Sequence, residues 1–495
     1  MNKAIKKLAG QTAIYGLSSI IGRLLNYLLV PLYTRIFIPE VYGIVTELYA
    51  YVSFLLILLT YGMETGFFRF AQDKSKFNSV YSTILTSLAT TSILFVILIQ
   101  LNLSSISEIL RYSEHPEFIM WMALIVSIDA FTSIPFAKLR LQNKAWKFAI
   151  FKLINISINI ILNLYFYLLC PKLEISNPNS LLLYIYDGNI GVGYVFISNL
   201  VANIITLVIL LPEILDVKFD FNRKLLKEIL SYSWPLLIAG FAGMINETLD
   251  RAMLKYLVPL ENNPMEQLGI YGANYKLAIL MTLFIQMYRY AADPFFFSNK
   301  NEENAKDLYA LATKYFIICG LIIFLGVMLY LDIIKYFIGS KFHEGLKVVP
   351  ILLLANLFLG IFYNFSIWYK LNDMTRYGAY LAVFGAAVTI ILNLILIPIY
   401  GYVGSAWATF ICYFLMTLLS YFWGQKYYYV PYKIKNSIIY LVLSLFIYFI
   451  SILIKLEKLY LNMILNTVLF SGFLFFVYLN ERKLLLRIKT KNKNL

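Results

Sequence analysis

Apolar runs of about twenty residues recur from one end of this sequence to the other, and they restrict the possible fold severely. "LAVFGAAVTIILNLILIPI" (Leu381–Ile399) is one of many. Each run is long enough to cross a hydrocarbon core of about 30 Å. Lipid offers the backbone no hydrogen bonds, so only helices and closed barrels can span it. Barrel strands alternate apolar and polar residues over about ten positions, whereas these runs are continuously apolar. The chain is therefore expected to be an all-α polytopic membrane protein. Composition agrees: 60% of the 495 residues are hydrophobic and 14% are charged, against about 45–50% and about 25% in soluble domains.

Segmentation predicts fourteen spans, near 10–34, 41–63, 80–101, 117–138, 146–169, 190–212, 232–257, 268–292, 314–333, 346–369, 377–398, 402–423, 436–455 and 459–479. An even number puts both ends on one side. Basic residues are retained in the cytoplasm, and with the amino end inside, the inner segments hold about three times as many Lys and Arg as the outer ones. Both termini are thus expected in the cytoplasm. The net charge of +15 then reflects topology and attraction to anionic lipids, not nucleic acid. Met1–Lys7 is basic, but the run behind it is too long and lacks the small-residue site of a cleavable signal peptide.

Three scattered cysteines, Cys170, Cys319 and Cys412, form no CxxC, and His115 and His343 are too few for a metal site. Neither a metal nor another cofactor is expected. Loops are short; the longest outer one, Pro171–Asn189, has no room for a folded domain. A membrane glycosyltransferase or polymerase would need such a region, and no GxxxxGK[ST] phosphate loop is present. No catalytic residue is assigned, and function is expected among the helices.

Two stretches depart from the apolar pattern in the same way. "GRLLNYLLVPLYTRIF" carries Arg23 eight residues before Pro31, and "DRAMLKYLVPLENN" carries Arg251 eight before Pro259. Tyr42-Gly43 follows the first and Tyr271-Gly272 the second, each with a charge four residues on, Glu47 and Lys276. "LQNKAWKFA" (Leu141–Ala149) resembles "KLNDMTRYGA" (Lys370–Ala379), which pairs Asn143 with Asn372. "IILNL" recurs at 160–164 and 390–394, and "GNIG" (188–191) pairs with "GYVG" (401–404). Shared order at a nearly constant offset implies duplication. The expected organisation is an N-lobe, 1–215, with helices 1–6, a C-lobe, 216–430, with helices 7–12, and 431–495 with helices 13–14 and a basic tail. Six crossings separate the copies, so both lobes run the same way. Sites in repeat transporters lie between the halves near mid-membrane.

These features together resemble the bacterial polysaccharide exporters. The residues that carry the likeness are the entry into VPLYTRIF, "PEVYG" (39–43) behind it, and LN-x3-IP-x-YG-x2-G over Leu392–Gly404. That family includes the O-antigen, or Wzx-type, flippases of the multidrug/oligosaccharidyl-lipid/polysaccharide (MOP) exporter superfamily. The resemblance implies a MATE-like fold that moves undecaprenyl-diphosphate-linked sugar repeat units, of O-antigen, capsule or exopolysaccharide, to the periplasmic leaflet by alternating access. It also implies working beside a polysaccharide polymerase or chain-length regulator.

A diphosphate cannot cross hydrocarbon unaided, and arginine suits it because its planar fork donates bidentate hydrogen bonds. Arg23 and Arg251 are the first candidates for holding it, with Lys276 in the second copy and Lys152 nearer the cytoplasmic surface. Intramembrane ionisable groups are functional by default, but a structural reading stands beside this one. Glu247 and Arg251 are spaced i, i+4 and can pair on one helix face, and Glu47 is a candidate partner for Arg23. The acids Glu47, Asp129, Glu247 and Asp250 are either such charge partners or sites where transport couples to a proton or sodium gradient. Two further readings stay open: a MATE-type multidrug/cation antiporter, whose cavity would be acidic, and a lipid II flippase.

Overall fold

The computed structural model describes residues 20–73, 75–300 and 302–493. Among these the chain is helical throughout, with no strand. The long helices are α1 (Pro39–Thr60), α2 (Phe77–Leu101), α3 (Pro116–Leu141), α4 (Ala145–Leu164), α5 (Gly193–Leu215) and α6 (Arg223–Leu257). They continue with α7 (Pro264–Leu277), α8 (Ile279–Ser298), α9 (Ala305–Leu329), α10 (Val349–Phe365), α11 (Thr375–Tyr427), α12 (Ile434–Leu453) and α13 (Leu459–Lys493). Eleven helical segments are long and apolar enough to cross a membrane, and twelve if the bent pair α7–α8 is one span. Of the expected first span, 10–34, the early part and Met1–Lys7 lie outside the described residues.

Two breaks shape these spans. The first, between α7 and α8, bends the pair by 48°. It falls at Ala278, not at Pro294, which sits inside α8. The second divides the 53-residue α11 at Gly401, whose φ of 55° and ψ of −137° are not helical. That backbone favours glycine, and a Cβ there would lie 2.0 Å from Gln267 Oε1. The same oxygen accepts from the backbone N–H of Tyr402 at 3.1 Å and caps the reopened helix. Expected spans 377–398 and 402–423 are thus two runs of one element, parted three residues after Pro398.

The duplication is visible in local geometry. Asn143 and Asp373 share a left-handed backbone, φ 58° and 56°. The next residue in each copy closes the same turn: Lys144 N–H donates to Leu139 O and Met374 N–H to Tyr369 O, both at 2.9 Å. Asn163 and Asn393 each donate to the carbonyl four residues back, at 2.8 and 2.7 Å. The backbone therefore matches Asn143 to Asp373, one position beyond the Asn372 that side-chain identity selects. It likewise matches Gly191, φ 51° and ψ −121°, to Gly401, displacing Gly188. A left-handed turn, not an amide side chain, is what recurs.

Packing divides the chain into two compact units: Met1–Gly272 with Ala386–Ser405, and Ala273–Gly385 with Ala406–Leu495. In the first, α3 is central and packs on α1, α2 and α5, while α4 lies on α5 and α6 on α1. In the second, α9 is central and packs on α8, α10, α12 and α13. Lys314 of α9 is buried against Glu481 of α13, whose carboxylate also accepts from Tyr440 at 2.8 Å. A buried ion pair is costly to assemble and costlier to break, so it fixes where α13 can dock.

Candidate functional site

Helices of this length place few charges in lipid, so each buried charge must find a partner. Besides Lys138, buried against Glu213, the first unit holds three such clusters that involve the expected residues. In the first, Glu47 of α1 is fully buried. One carboxylate oxygen accepts from Tyr51 at 2.7 Å, and the other accepts from Tyr112 at 2.6 Å and from Lys255 Nζ at 2.9 Å. Lys255 also donates to the carbonyl of Leu110 at 2.6 Å and lies 3.9 Å from the centre of the Tyr112 ring. Glu47 is therefore neutralised by Lys255, correcting the expected pairing with Arg23. Lys255 stands one helical turn beyond Arg251 in "RAMLK" (251–255); that i, i+4 spacing was the available signal. A cavity of about 740 Å³ opens beside this cluster, lined by Tyr112, Lys255, Arg111 and Glu266 among others.

The second cluster surrounds a cavity of about 480 Å³ whose walls include Asp129, Lys152, Arg140, Glu64 and Phe136. Asp129 accepts from Asn203 Nδ2 at 3.0 Å, and Asn155 ties Asn203 Oδ1 to Thr206 Oγ1 at 3.0 and 2.9 Å. Lys152 Nζ sits 4.0 Å from the centre of the Phe136 ring and within electrostatic reach of Asp129, Arg140 and Glu64. Arg140 forms an ion pair with Glu64. This brings Asp129 and Lys152 together, a pairing no sequence spacing announced, and adds Arg140 and Glu64.

The third cluster is centred on Asp250, buried on α6. Its carboxylate accepts from Tyr271 at 2.6 Å, Ser405 at 3.3 Å and the backbone N–H of Arg251 at 2.8 Å. Nearby on α6 and α11, Thr389 donates to Asn246 at 3.2 Å, and Asn393 Oδ1 is buried with no hydrogen-bond partner among the described residues. Arg251, half-buried, donates to the main-chain carbonyl of Glu247 at 2.9 Å, and Glu247 is exposed. Arg23 is exposed on the helical stretch 20–27. Lys276 is half-buried on α7 in the second unit. The eight expected residues thus fall at several stations, with only Asp129 and Lys152, and the neighbours Glu247, Asp250 and Arg251, grouped together.

Among the described residues no group of three His, Cys, Asp or Glu is placed to hold a metal ion. Charges held inside a bundle of long apolar helices, beside cavities with charged side chains in their walls, define a polytopic helical membrane protein. The fold supports the class. It is similar to that of lipid II flippase MurJ in an inward closed conformation, with a TM-score of 0.70 at 15% identity over 95% of this chain and 99% of that one. It is also similar to an inward-facing multidrug resistance MATE family transporter of the MOP superfamily, TM-score 0.64 at 15% identity over 86% and 98%. In sequence, the chain is 22% identical over 426 residues to Lsg locus putative protein 1 of Haemophilus influenzae, covering 84% of this chain and 99% of that protein. The family model described as polysaccharide biosynthesis protein matches residues 8–300. The chain belongs to that family.

Proposed function

We propose that this protein is a flippase that carries polyprenyl-diphosphate-linked oligosaccharide repeat units, of O-antigen, capsule or exopolysaccharide, across the bacterial inner membrane by alternating access between its two repeats. The observation that carries this reading is a family match to polysaccharide biosynthesis proteins on a chain whose helices place Arg140 and Lys152 in the wall of a cavity. The lipid tail needs no help in the bilayer. The diphosphate does, and a wet path with guanidinium and ammonium donors lowers its cost of passage. In this reading Arg23, Arg251, Lys276 and Lys152 receive the diphosphate in turn, and both chain ends face the cytoplasm. A polymerase or chain-length regulator takes up the product.

Coupling to a proton or sodium gradient belongs to the buried acids that form no direct ion pair among the described residues. Glu47 is spent on Lys255 and acts as a charge partner. Asp250, which accepts from two hydroxyls and a backbone N–H, and Asp129, held by the Asn203 amide with Lys152 in electrostatic reach, are the coupling candidates; the exposed Glu247 meets Arg251 through its main-chain carbonyl. The cation-antiporter alternative keeps one observation in its favour, since Glu40, Glu108, Glu114 and Glu266 line the cavity of about 740 Å³, although Glu64, beside the smaller cavity, is paired with Arg140.

The test is gene disruption followed by lipid analysis. Polyprenyl-linked repeat units should accumulate on the cytoplasmic face while surface glycan is lost. Unchanged surface glycan with lost dye efflux would sink the reading in favour of the antiporter, and accumulated lipid II would reassign the cargo.

A further inference from the structure

The ion pair between Arg140 and Glu64 has a counterpart in the second unit. Lys370 Nζ lies 3.5 Å from Asp293 Oδ1. The left-handed residues Asn143 and Asp373 set the register of the two copies, and Arg140 and Lys370 each stand three residues before them. Glu64 and Asp293 follow Gly43 and Gly272 by 21 residues each. Exposure of the side chains also matches, 32% and 41% in the first pair against 25% and 40% in the second. Each unit therefore has one half-buried ion pair at the same place in the repeat.

At each place a guanidinium is left incomplete. Arg140 Nε and Arg289 Nε are buried without a hydrogen-bond partner among the described residues. A guanidinium has five N–H donors, and an orphaned buried donor is destabilising until something accepts from it. Aromatic rings hold both forks in place. Arg289 lies 4.1 Å from the centre of the Tyr363 ring. Arg140 lies 5.0 Å from that of Phe68 and 5.8 Å from that of Phe148. A guanidinium stacked on an aromatic face keeps its donor edge free for a bidentate acceptor. Arg289 is also within electrostatic reach of Lys370, and it makes no ion pair of its own among the described residues.

We propose that Arg289, with Lys370 beside it, and Arg140, with Lys152 beside it, are two oxyanion-binding stations, one in each unit, built beside the repeat-related ion pairs although the two arginines are not themselves equivalent in the repeat. Each receives a phosphoryl or carboxylate group through the free guanidinium edge. The neighbouring carboxylate limits affinity so that the anion can leave: Asp293 pairs with the adjacent Lys370, and Glu64 pairs with Arg140 itself. The second station carries the larger excess of positive charge and binds more tightly. The identity of the anion rests on the flippase reading: it is either the lipid diphosphate or an acidic sugar of the repeat unit.

The full-length protein in lipid nanodiscs should be titrated with farnesyl diphosphate, with farnesol, and with a hexuronate oligosaccharide, following thermal stability. Farnesyl diphosphate should stabilise the wild type and farnesol should not. Arg289→Gln should weaken the apparent Kd about tenfold or more, Arg140→Gln by less, and Arg289→Lys should retain part of the affinity. The ligand-free midpoint of Arg289→Gln should stay near that of wild type, which a merely structural arginine would not allow. An arginine-dependent shift with the hexuronate alone would assign the anion to the sugar. Wild type responding to neither anion, or Arg289→Gln and Arg140→Gln binding both as wild type does, would overturn the proposal. The accumulation test above involves neither arginine, so the flippase reading stands or falls separately.

Discussion

Lys255 shows how one side chain alters the reading of its neighbours. Glu47 is buried with three donors around it, and Lys255 is the cationic one. Removing one member of a buried pair leaves the other charge stranded, at about 3–5 kcal/mol. Lys255→Met should therefore lower the thermal midpoint sharply in nanodiscs. Adding Glu47→Leu to Lys255→Met should restore much of the loss. If the single variant is as stable as wild type, the carboxylate is not stranded and the pair is not what orders this cluster. Arg23 is the opposite case, exposed and available. Arg23→Ala should abolish glycan export at normal protein levels, whereas Arg23→Lys should keep part of it. A fully active alanine variant would remove Arg23 from the site.

Among the elements, α11 carries the feature most open to test. Its break at Gly401 combines a left-handed backbone with a glutamine seated where a side chain would go. A non-glycine residue in that region costs about 1–2 kcal/mol, and the clash with Gln267 adds to it. Gly401→Ala should destabilise the protein measurably. Adding Gln267→Ala should relieve the clash but not the backbone cost, leaving an intermediate midpoint. Equal midpoints for Gly401→Ala and wild type would show that the turn is not strained by a Cβ. Other close approaches lie at Gly43 and Gly269, where added Cβ atoms would come within 2.3 Å of Met265 O and 1.8 Å of Pro39 O. Small residues let membrane helices cross at backbone distance, so α1 and α7 meet here through glycine rather than through side-chain interdigitation.

For the whole molecule, topology is the property on which transport direction depends. In a variant without its native cysteines, a single cysteine at Lys144 should react with a membrane-impermeant maleimide only after the cytoplasmic face is opened. One at Glu114 should react in intact spheroplasts. Labelling of both from the same side would invert or break the proposed orientation, and with it the leaflet from which cargo is taken.

Hydropathy is a sum over neighbours in sequence, and so the membrane class, most of the spans and the duplication were legible from the residues alone. Side-chain identity even located the repeat to within a residue or three, missing only that a turn and not an amide is what recurs at Asn143 and Asp373. The site was less legible. Asp129, Lys152 and Glu47 stood out as charges in apolar runs, but which cation meets which carboxylate depends on how helices rotate and which neighbours they choose. Glu47 and Lys255 are 208 positions apart, and Arg140 and Glu64 are 76 apart. Local composition determined that these charges must be compensated, because lipid cannot solvate them; only the tertiary packing decided by what.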